Sequence, residues 1–316
     1  MQMKAFLVYS PGYNVRIPGL SWLHPFDGSK YGHAWSTLQK KFGAELEALL
    51  IIPDGEVSLE DLLVVHTRDY IDSLRHSTVV ARALEIATAR LLPSLLLDRS
   101  ILRPMRLATQ GTIQAVDRAL EGCAVFNLGG GYHHAFADHG EGFCIYADAA
   151  IAVTRARKSG RLGAGADVLM IDLDAHRGNG IEHIFRNDPH VHFFDMYNFQ
   201  IYPGYSDTED EYLIPVPAGS SGAFYLNRLK KELPAFLASV TNPKLVIYNA
   251  GTDILAGDPL GGLNVTEEEV RQRDRYVLAE LTRAEIPVVM LTSGGYTKRS
   301  AGLIADAASF LINSGN

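Results

Sequence analysis

Asp172, Asp174 and His176 stand at alternate positions behind the apolar run Val168-Leu169-Met170-Ile171, and the stretch closes in Arg177-Gly178-Asn179-Gly180. The uncharged, β-branched run predicts a buried strand of a parallel sheet. Residues two apart on an extended chain point to the same side, so two carboxylates and an imidazole would share one face at the strand's carboxyl end. Open α/β sheets keep their ligands there. Unpaired buried charge is costly, which makes the triplet a candidate metal site rather than a solvated strand end. Three further strand ends carry unusual residues: His133 and His134 behind Gly129-Gly130-Gly131, Asp253 in Asn249-Ala250-Gly251-Thr252-Asp253, and Tyr296 behind Ser293-Gly294-Gly295. Alone, each has a plain reading as polar surface, helix cap or turn. Together, opening on the same edge of a parallel sheet, they describe one site.

The elements that must carry these loops alternate along the chain. Strands are predicted at 5–9, 124–128, 168–171, 191–194, 244–248 and 286–291. Helical spacing covers 34–50, 68–75, 147–159 and 222–239, and a last helix runs to about residue 312. Thr266 opens another helix with Glu269 three residues on, a capping-box pattern. The apolar, Arg-dotted region 79–113 predicts helices broken at Pro93 and Pro104. His24-Pro25-Phe26-Asp27 reads as a loop, and the Tyr- and Pro-rich chain behind Phe194 as an irregular loop through Pro217. Strand, loop and helix in repeated order predict an α/β fold: a parallel sheet flanked by helices, with residues 1–316 as a single domain.

Composition bounds the function. A chain of 316 residues, 47% hydrophobic and 21% charged, has ample core. Its formal charge of −7 gives no basic footprint for nucleic acid, while leaving room for a basic substrate such as a lysine-bearing protein or a polyamine. Two cysteines, Cys123 and Cys144, make neither a disulfide framework nor a Cys-type zinc cluster and suit a reducing cytoplasm, where the protein is expected. The opening apolar run is too short for a signal peptide, and no run approaches a membrane span. No internal repeat or low-complexity linker occurs, and no feature specifies an oligomeric state.

The motifs GGGYHHA, GFC (142–144), IDLDAHRGNG, YNAGTD and TSGGY together resemble the zinc-dependent histone deacetylase family, within the arginase–deacetylase fold. The chain looks most like the class IV branch, supported by HPFD (24–27), VVHTRDY (64–70), the TSGGY ending and DPLGGL (258–263). The likeness covers residues 9–311, nearly the whole chain.

The resemblance implies that Asp174, His176 and Asp253 hold the metal. Three protein ligands leave a position open for water and substrate, the catalytic arrangement. The metal would polarise an amide carbonyl and lower the pKa of its bound water. By the family pattern His134 is the main general base and then the acid for the leaving amine, and His133 gives electrostatic and proton-shuttling help. Each imidazole needs a partner on its other nitrogen; the matching positions are Asp172 for His133 and Asn179 for His134. Asn179 departs from the class I pattern, which has a carboxylate there, and an amide should leave His134 less basic. Tyr296 would donate to the developing oxyanion. Gly131, Phe143 and Tyr202 match positions lining the acyl-lysine tunnel, with an ordinary core role as the alternative for Phe143 and Tyr202. A structural potassium ion is implied near the carbonyls of Asp172, Asp174 and His176, with Asp195 as a contributor. Oxygen and imidazole ligands admit Fe2+, Co2+ or Mn2+ as well as Zn2+.

Lysine deacylation is the expected activity, with a long fatty acyl group as well as or instead of acetyl, as class IV relatives suggest. A long chain needs an apolar cavity beyond the metal, and the run 86–102 is apolar enough to supply one, or else packs as core or flap. An acetylpolyamine or other small-molecule amide deacetylase shares the same catalytic residues, and a non-catalytic acyl-group reader is the alternative from another class. A binuclear manganese ureohydrolase is excluded: Gly178 stands where one of its carboxylates is required, and Gly251 removes another.

Overall fold

Short, mostly apolar runs form one eight-stranded parallel sheet in the structure, a computed structural model that describes residues 3–15, 27–205 and 211–315. The strands are β1 (Ala5–Val8), β2 (Leu50–Ile51), β3 (Ala124–Asn127), β4 (Val168–Asp172), β5 (Val191–Asn198), β6 (Leu213–Val216), β7 (Leu245–Asn249) and β8 (Val288–Leu291). They lie in the order β2-β1-β3-β8-β7-β4-β5-β6. Every residue of β1, β3, β4, β7 and β8 is buried, because helices cover both faces of the sheet. Alternate residues serve the two layers: Leu7, Phe126, Leu169, Ile171, Tyr248 and Met290 pack toward one, and Phe6, Val125, Met170, Ile247 and Val289 toward the other. The first layer is roofed by the helices Lys30–Phe42, Gly222–Ser239, Glu267–Arg283 and Ser300–Gly315, the second by Arg103–Ala119 and Asp148–Lys158. This is the expected α/β architecture. The four strands with candidate chemistry at their ends, β3, β8, β7 and β4, are consecutive neighbours at its centre.

Three local expectations need correction. The helix expected to reach residue 50 spans Lys30–Phe42 and stops at Gly43, whose φ of +54° suits a residue without Cβ; the chain then runs through a 3-10 segment into β2. The chain expected to be irregular through Pro217 contains β6, an edge strand, where Pro215 costs no ladder bond needed by a central strand. Pro104 does not break the chain: a wide π turn at Asp98–Leu102 leads into the helix Arg103–Ala119 and places the proline in its first turn, where a missing N–H is tolerated. Of the HPFD motif, His24 to Phe26 lie outside the described residues.

His66 ties the loop behind β3 to the start of the helix Asp148–Lys158. Its Nε2 accepts from the Ala147 N–H at 3.0 Å and its Nδ1 faces the Ala137 carbonyl at 3.3 Å, which fixes a neutral ring with the proton on Nδ1. Burial pushes its pKa from 6.5 down to about 4. A lowered folded-state value means that the unfolded chain binds the proton first, so stability present above pH 6.5 is lost as the pH falls toward 4. The loss is on the order of 3 kcal/mol. Urea unfolding at pH 7 and pH 4.5 should therefore show a smaller pH difference for His66→Gln than for the parent; an unchanged difference would assign the effect to other groups.

Candidate active site

Asp174 and His176 leave the end of β4, and Asp253 follows β7, the neighbouring strand. His176 Nδ1 lies 3.1 Å from Asp174 Oδ1 and 3.1 Å from Asp253 Oδ2. One ligand atom from each of the three residues falls within 4.8 Å of the others, a spacing that could hold a metal ion. Both carboxylates are inaccessible to solvent. Burial and the adjacent Asp174 carboxylate drive the Asp253 carboxyl upward, while burial of His176 is outweighed by the two carboxylates, which raise its pKa to about 10. Two buried anions around one imidazole thus call for positive charge between them, and a divalent cation suits this donor set.

The remaining carboxylate valences are committed. Asp174 Oδ2 accepts from Ser293 Oγ at 2.9 Å and from the Gly294 N–H at 2.8 Å; Asp253 Oδ1 accepts from the Ala175 N–H at 2.9 Å. The loop behind β8 therefore buttresses a ligand borne on β4. Close approach at Gly294 is compulsory, since an added Cβ would lie 2.3 Å from Asp253 Oδ2 and 2.5 Å from Asp174 Oδ2. Gly294→Ala should weaken the binding of a divalent cation here about 10- to 100-fold, the usual cost of disturbing groups that support ligands. Competition with a chromogenic chelator measures this, and an unchanged affinity would show that the loop is free to yield.

The loop behind β3 brings the two histidines over this triad. His133 Nδ1 is 2.7 Å from Asp172 Oδ2, and Asp172 also accepts from Asn249 Nδ2 at 3.1 Å. Burial opposes protonation of His133, but Asp172 and Asp174 overcome it and raise its pKa to about 9. His134 Nδ1 is 2.7 Å from Asn179 Oδ1; burial and the neighbouring His133 and His176 push its pKa well down. The adjacent rings, 4.0 Å apart, are therefore biased to opposite protonation states. Tyr296 stands with its ring 6.5 Å from His176 and 5.9 Å from Phe143. Burial and the carboxylates of Asp253 and Asp174 push its phenol well above its ordinary pKa, so it keeps its proton.

Phe143 and Tyr202 stand on two sides of this centre, Tyr202 packing edge-on against His134 at 5.1 Å and 42% exposed. Gly131, at φ +84°, lies so close to Asn249 and Ser293 that a Cβ would meet Asn249 Oδ1 at 2.4 Å. A cavity continues inward from Tyr296 between Lys30, Tyr31, Met105 and Tyr132. The run 86–102 does not line it: Leu91, Leu95 and Leu96 are exposed, and Leu97, Ile101 and Leu102 are buried in the second core layer. Asp195 pairs in register with Asp172 across β4 and β5; its Oδ2 accepts from the Gly178 N–H at 2.8 Å, and its Oδ1 has no hydrogen-bond partner.

Several positioning residues escape sequence reading. Arg273 is fully buried and donates to the carbonyls of Leu173 (2.9 Å), Gly251 (2.6 Å) and Ala250 (3.3 Å), clasping the chain beside both carboxylate ligands; Asp274 balances its charge at 2.9 Å. Lys30 Nζ donates to the Ser293 carbonyl at 2.7 Å. Asp148 accepts from the N–H groups of Gly131 (3.0 Å) and Tyr132 (2.8 Å), and Asp258 from that of Tyr296 (2.8 Å). Only Asp258 carried a signal, through its place in DPLGGL.

A histone deacetylase domain model matches residues 24–310. The chain is 40% identical over 315 residues to Histone deacetylase 2 of Arabidopsis thaliana, covering 99% of this chain and 80% of that protein. It is 28% identical to the acetoin utilization protein AcuC of Bacillus subtilis, over 82% of this chain and 68% of that one. To the polyamine deacetylase HDAC10 of Danio rerio it is 24% identical, over 79% and 39% respectively. No helix among the described residues is long and apolar enough to cross a membrane.

Proposed function

The chain belongs to the histone deacetylase family, a family of amide hydrolases, and from that premise we propose that it removes acyl groups from lysine side chains of a protein or peptide. The observation that carries the reading is the convergence of His133, His134 and Tyr296 on the Asp174–His176–Asp253 cluster. The similarity to a protein named a histone deacetylase supports a lysine substrate. HPFD, VVHTRDY, TSGGY and DPLGGL support a class IV position, with residues 1–316 as one catalytic domain.

Zinc is the cation proposed for Asp174, His176 and Asp253; when bound it would polarise the amide carbonyl and make nearby water more acidic. The acid–base work falls to the chain's own residues. His134, protonated on Nδ1 against Asn179 Oδ1, keeps Nε2 as a base for the water proton and passes that proton to the leaving amine. His133, paired with Asp172, holds positive charge beside it. Tyr296 keeps its phenolic proton and donates it as a hydrogen bond to the developing oxyanion. Phe143 and Tyr202 flank the acyl-lysine stem, and Gly131 is the third position proposed to line it, its missing Cβ making room for Asn249 and Ser293. Asp195 Oδ1, buried without a partner, supports a potassium ion beside the carbonyls of Asp172, Asp174 and His176.

The cavity between Tyr31, Met105 and Tyr132 leaves a little space beyond acetyl, and acyl groups longer than acetyl are proposed from the likeness to the class IV branch. A small acylated amine is the second reading, favoured by the Glu141 carboxylate, 39% exposed beside Tyr202, which could meet a polyamine ammonium. Mass-spectrometric turnover of one peptide bearing acetyl- or myristoyl-lysine, and of acetylspermidine, decides between them, with metal-stripped protein as control. Metal-dependent loss of myristoyl above acetyl is the expected result. Faster acetyl removal would make it a short-chain deacylase, and turnover of acetylspermidine alone would overturn the lysine reading.

A further inference from the structure

We propose that Glu141 and Tyr202 form an outer relay, ending in a carboxylate, that orients Asn179 and through it His134. The inference rests on the reading of His134 as the acid–base residue. An amide beside an imidazole is ambiguous: its oxygen would hold the ring proton on Nδ1, and its nitrogen would select the opposite tautomer. A carboxylate, which only accepts, leaves no such choice. Asn179 therefore needs something else to decide which end faces His134.

The structure supplies a directional chain. Tyr202 Oη donates to Glu141 Oε2, which as a carboxylate oxygen can only accept. With its proton so committed, the phenol oxygen can only accept from Asn179, whose Nδ2 lies 3.4 Å away. That leaves Asn179 Oδ1 for His134 Nδ1, at 2.7 Å. Each donor thus points outward, from His134 to Asn179, to Tyr202 and to Glu141. The 3.4 Å link is the long one, and catalytic hydrogen bonds commonly tighten when substrate excludes water.

Packing holds the chain in place from both ends. Glu141 sits between Gly140 and Gly142, and an added Cβ on Gly142 would meet His134 Cδ2 at 2.4 Å, so the loop bearing the carboxylate is pressed against the ring it serves. His139 Nε2 lies 3.2 Å from Glu141 Oε1, occupying the carboxylate's other oxygen. The Tyr202 ring abuts His134 directly. Burial and the Glu141 carboxylate hold the Tyr202 phenol above its ordinary range, so it stays a donor. Two residues of the loop behind β3, His134 and Glu141, are thereby linked through Asn179 and Tyr202, restoring at a distance the negative terminus that an asparagine lacks. Glu141 and Tyr202 are positioning residues, and the imidazolium formed when His134 takes up a proton is stabilised along the same chain.

The test uses the zinc-loaded full chain with Glu141→Gln, Tyr202→Phe and Asn179→Asp, alone and in pairs. On an acyl-lysine peptide, Glu141→Gln should lower kcat about 10-fold, the lower end expected for an outer partner, and leave KM within about two-fold. In the Asn179→Asp background, where a carboxylate meets His134 directly, the same substitution should cost less than about two-fold. Nitrogen-15 spectra of the labelled histidines should show His134 as the Nδ1–H tautomer in the parent and a tautomer mixture in Glu141→Gln. Equal losses in both backgrounds, a change in KM alone, or an unaltered His134 tautomer would overturn the relay. The spectra need no substrate: a parent that turns over no acyl-lysine while its His134 tautomer still depends on Glu141 would remove the lysine reading and leave the relay standing.

Discussion

Asp253→Ala is expected to abolish zinc binding and turnover together. The substitution deletes one of three ligand groups, and it also frees the Ala175 N–H that Asp253 Oδ1 accepts at 2.9 Å, so the chain between the other two ligands loses its anchor. The effect should exceed the about 10- to 100-fold affinity loss typical of outer partners. The protein should still fold, since removing Asp253 relieves a carboxylate that burial and Asp174 both disfavour and leaves His176 paired with Asp174 at 3.1 Å. Elemental analysis after dialysis against excess zinc is the direct check. A variant retaining one equivalent of zinc would sink the assignment of Asp253 as a ligand.

Tyr296→Phe should leave zinc in place and lower kcat about 10²- to 10³-fold, the usual cost of one oxyanion donor. Phenylalanine keeps the ring that packs against Phe143 and His176, and the Tyr296 N–H bond to Asp258 at 2.8 Å involves only the backbone. The loss should therefore appear in kcat with a nearly unchanged KM, as for an interaction made only in the transition state. Full activity in this variant would leave the oxyanion without its proposed donor and the mechanism without support.

Readability from sequence followed the cost of a wrong choice. The central strands are predominantly apolar and buried on both sides, so β1, β3, β4, β7 and β8 stand out, and with them the positions of the loops at their carboxyl ends. The helix ending at Gly43 was overrun because the apolar pattern continues beyond it while the φ of +54° that ends it is a property of one backbone bond. β6 was hidden by Pro215, which argues against a strand unless that strand lies at an edge. The cluster residues could be named because Asp, His and Tyr behind glycine turns are unusual at strand ends. Of their supports, Asp172 and Asn179 could be named through the family pattern, but the helix-borne ones could not. Arg273 and Lys30 sit on amphipathic helices among many charged residues, and only three-dimensional packing distinguishes a fully buried arginine from its solvated neighbours. Glu141 acquires meaning through Tyr202, 61 residues away.

The placement of β8 bears on how the protein comes to be made. This strand, the last in sequence among the described residues, lies between β3 and β7 and is the strand that joins the half-sheets β2-β1-β3 and β7-β4-β5-β6. During synthesis the two histidines and the two carboxylate ligands therefore emerge on separate halves, each with a bare apolar edge. The candidate metal ligands Asp174, His176 and Asp253 are borne on β4 and β7, but Ser293, Gly294 and Tyr296 arrive only with β8. The supports of Asp174 and the phenol of Tyr296 are therefore absent until the final strand is inserted, and the reactive arrangement forms only then. Proteolytic removal of the chain beyond Ile286 would undo both the weld between the halves and the chemistry in one cut.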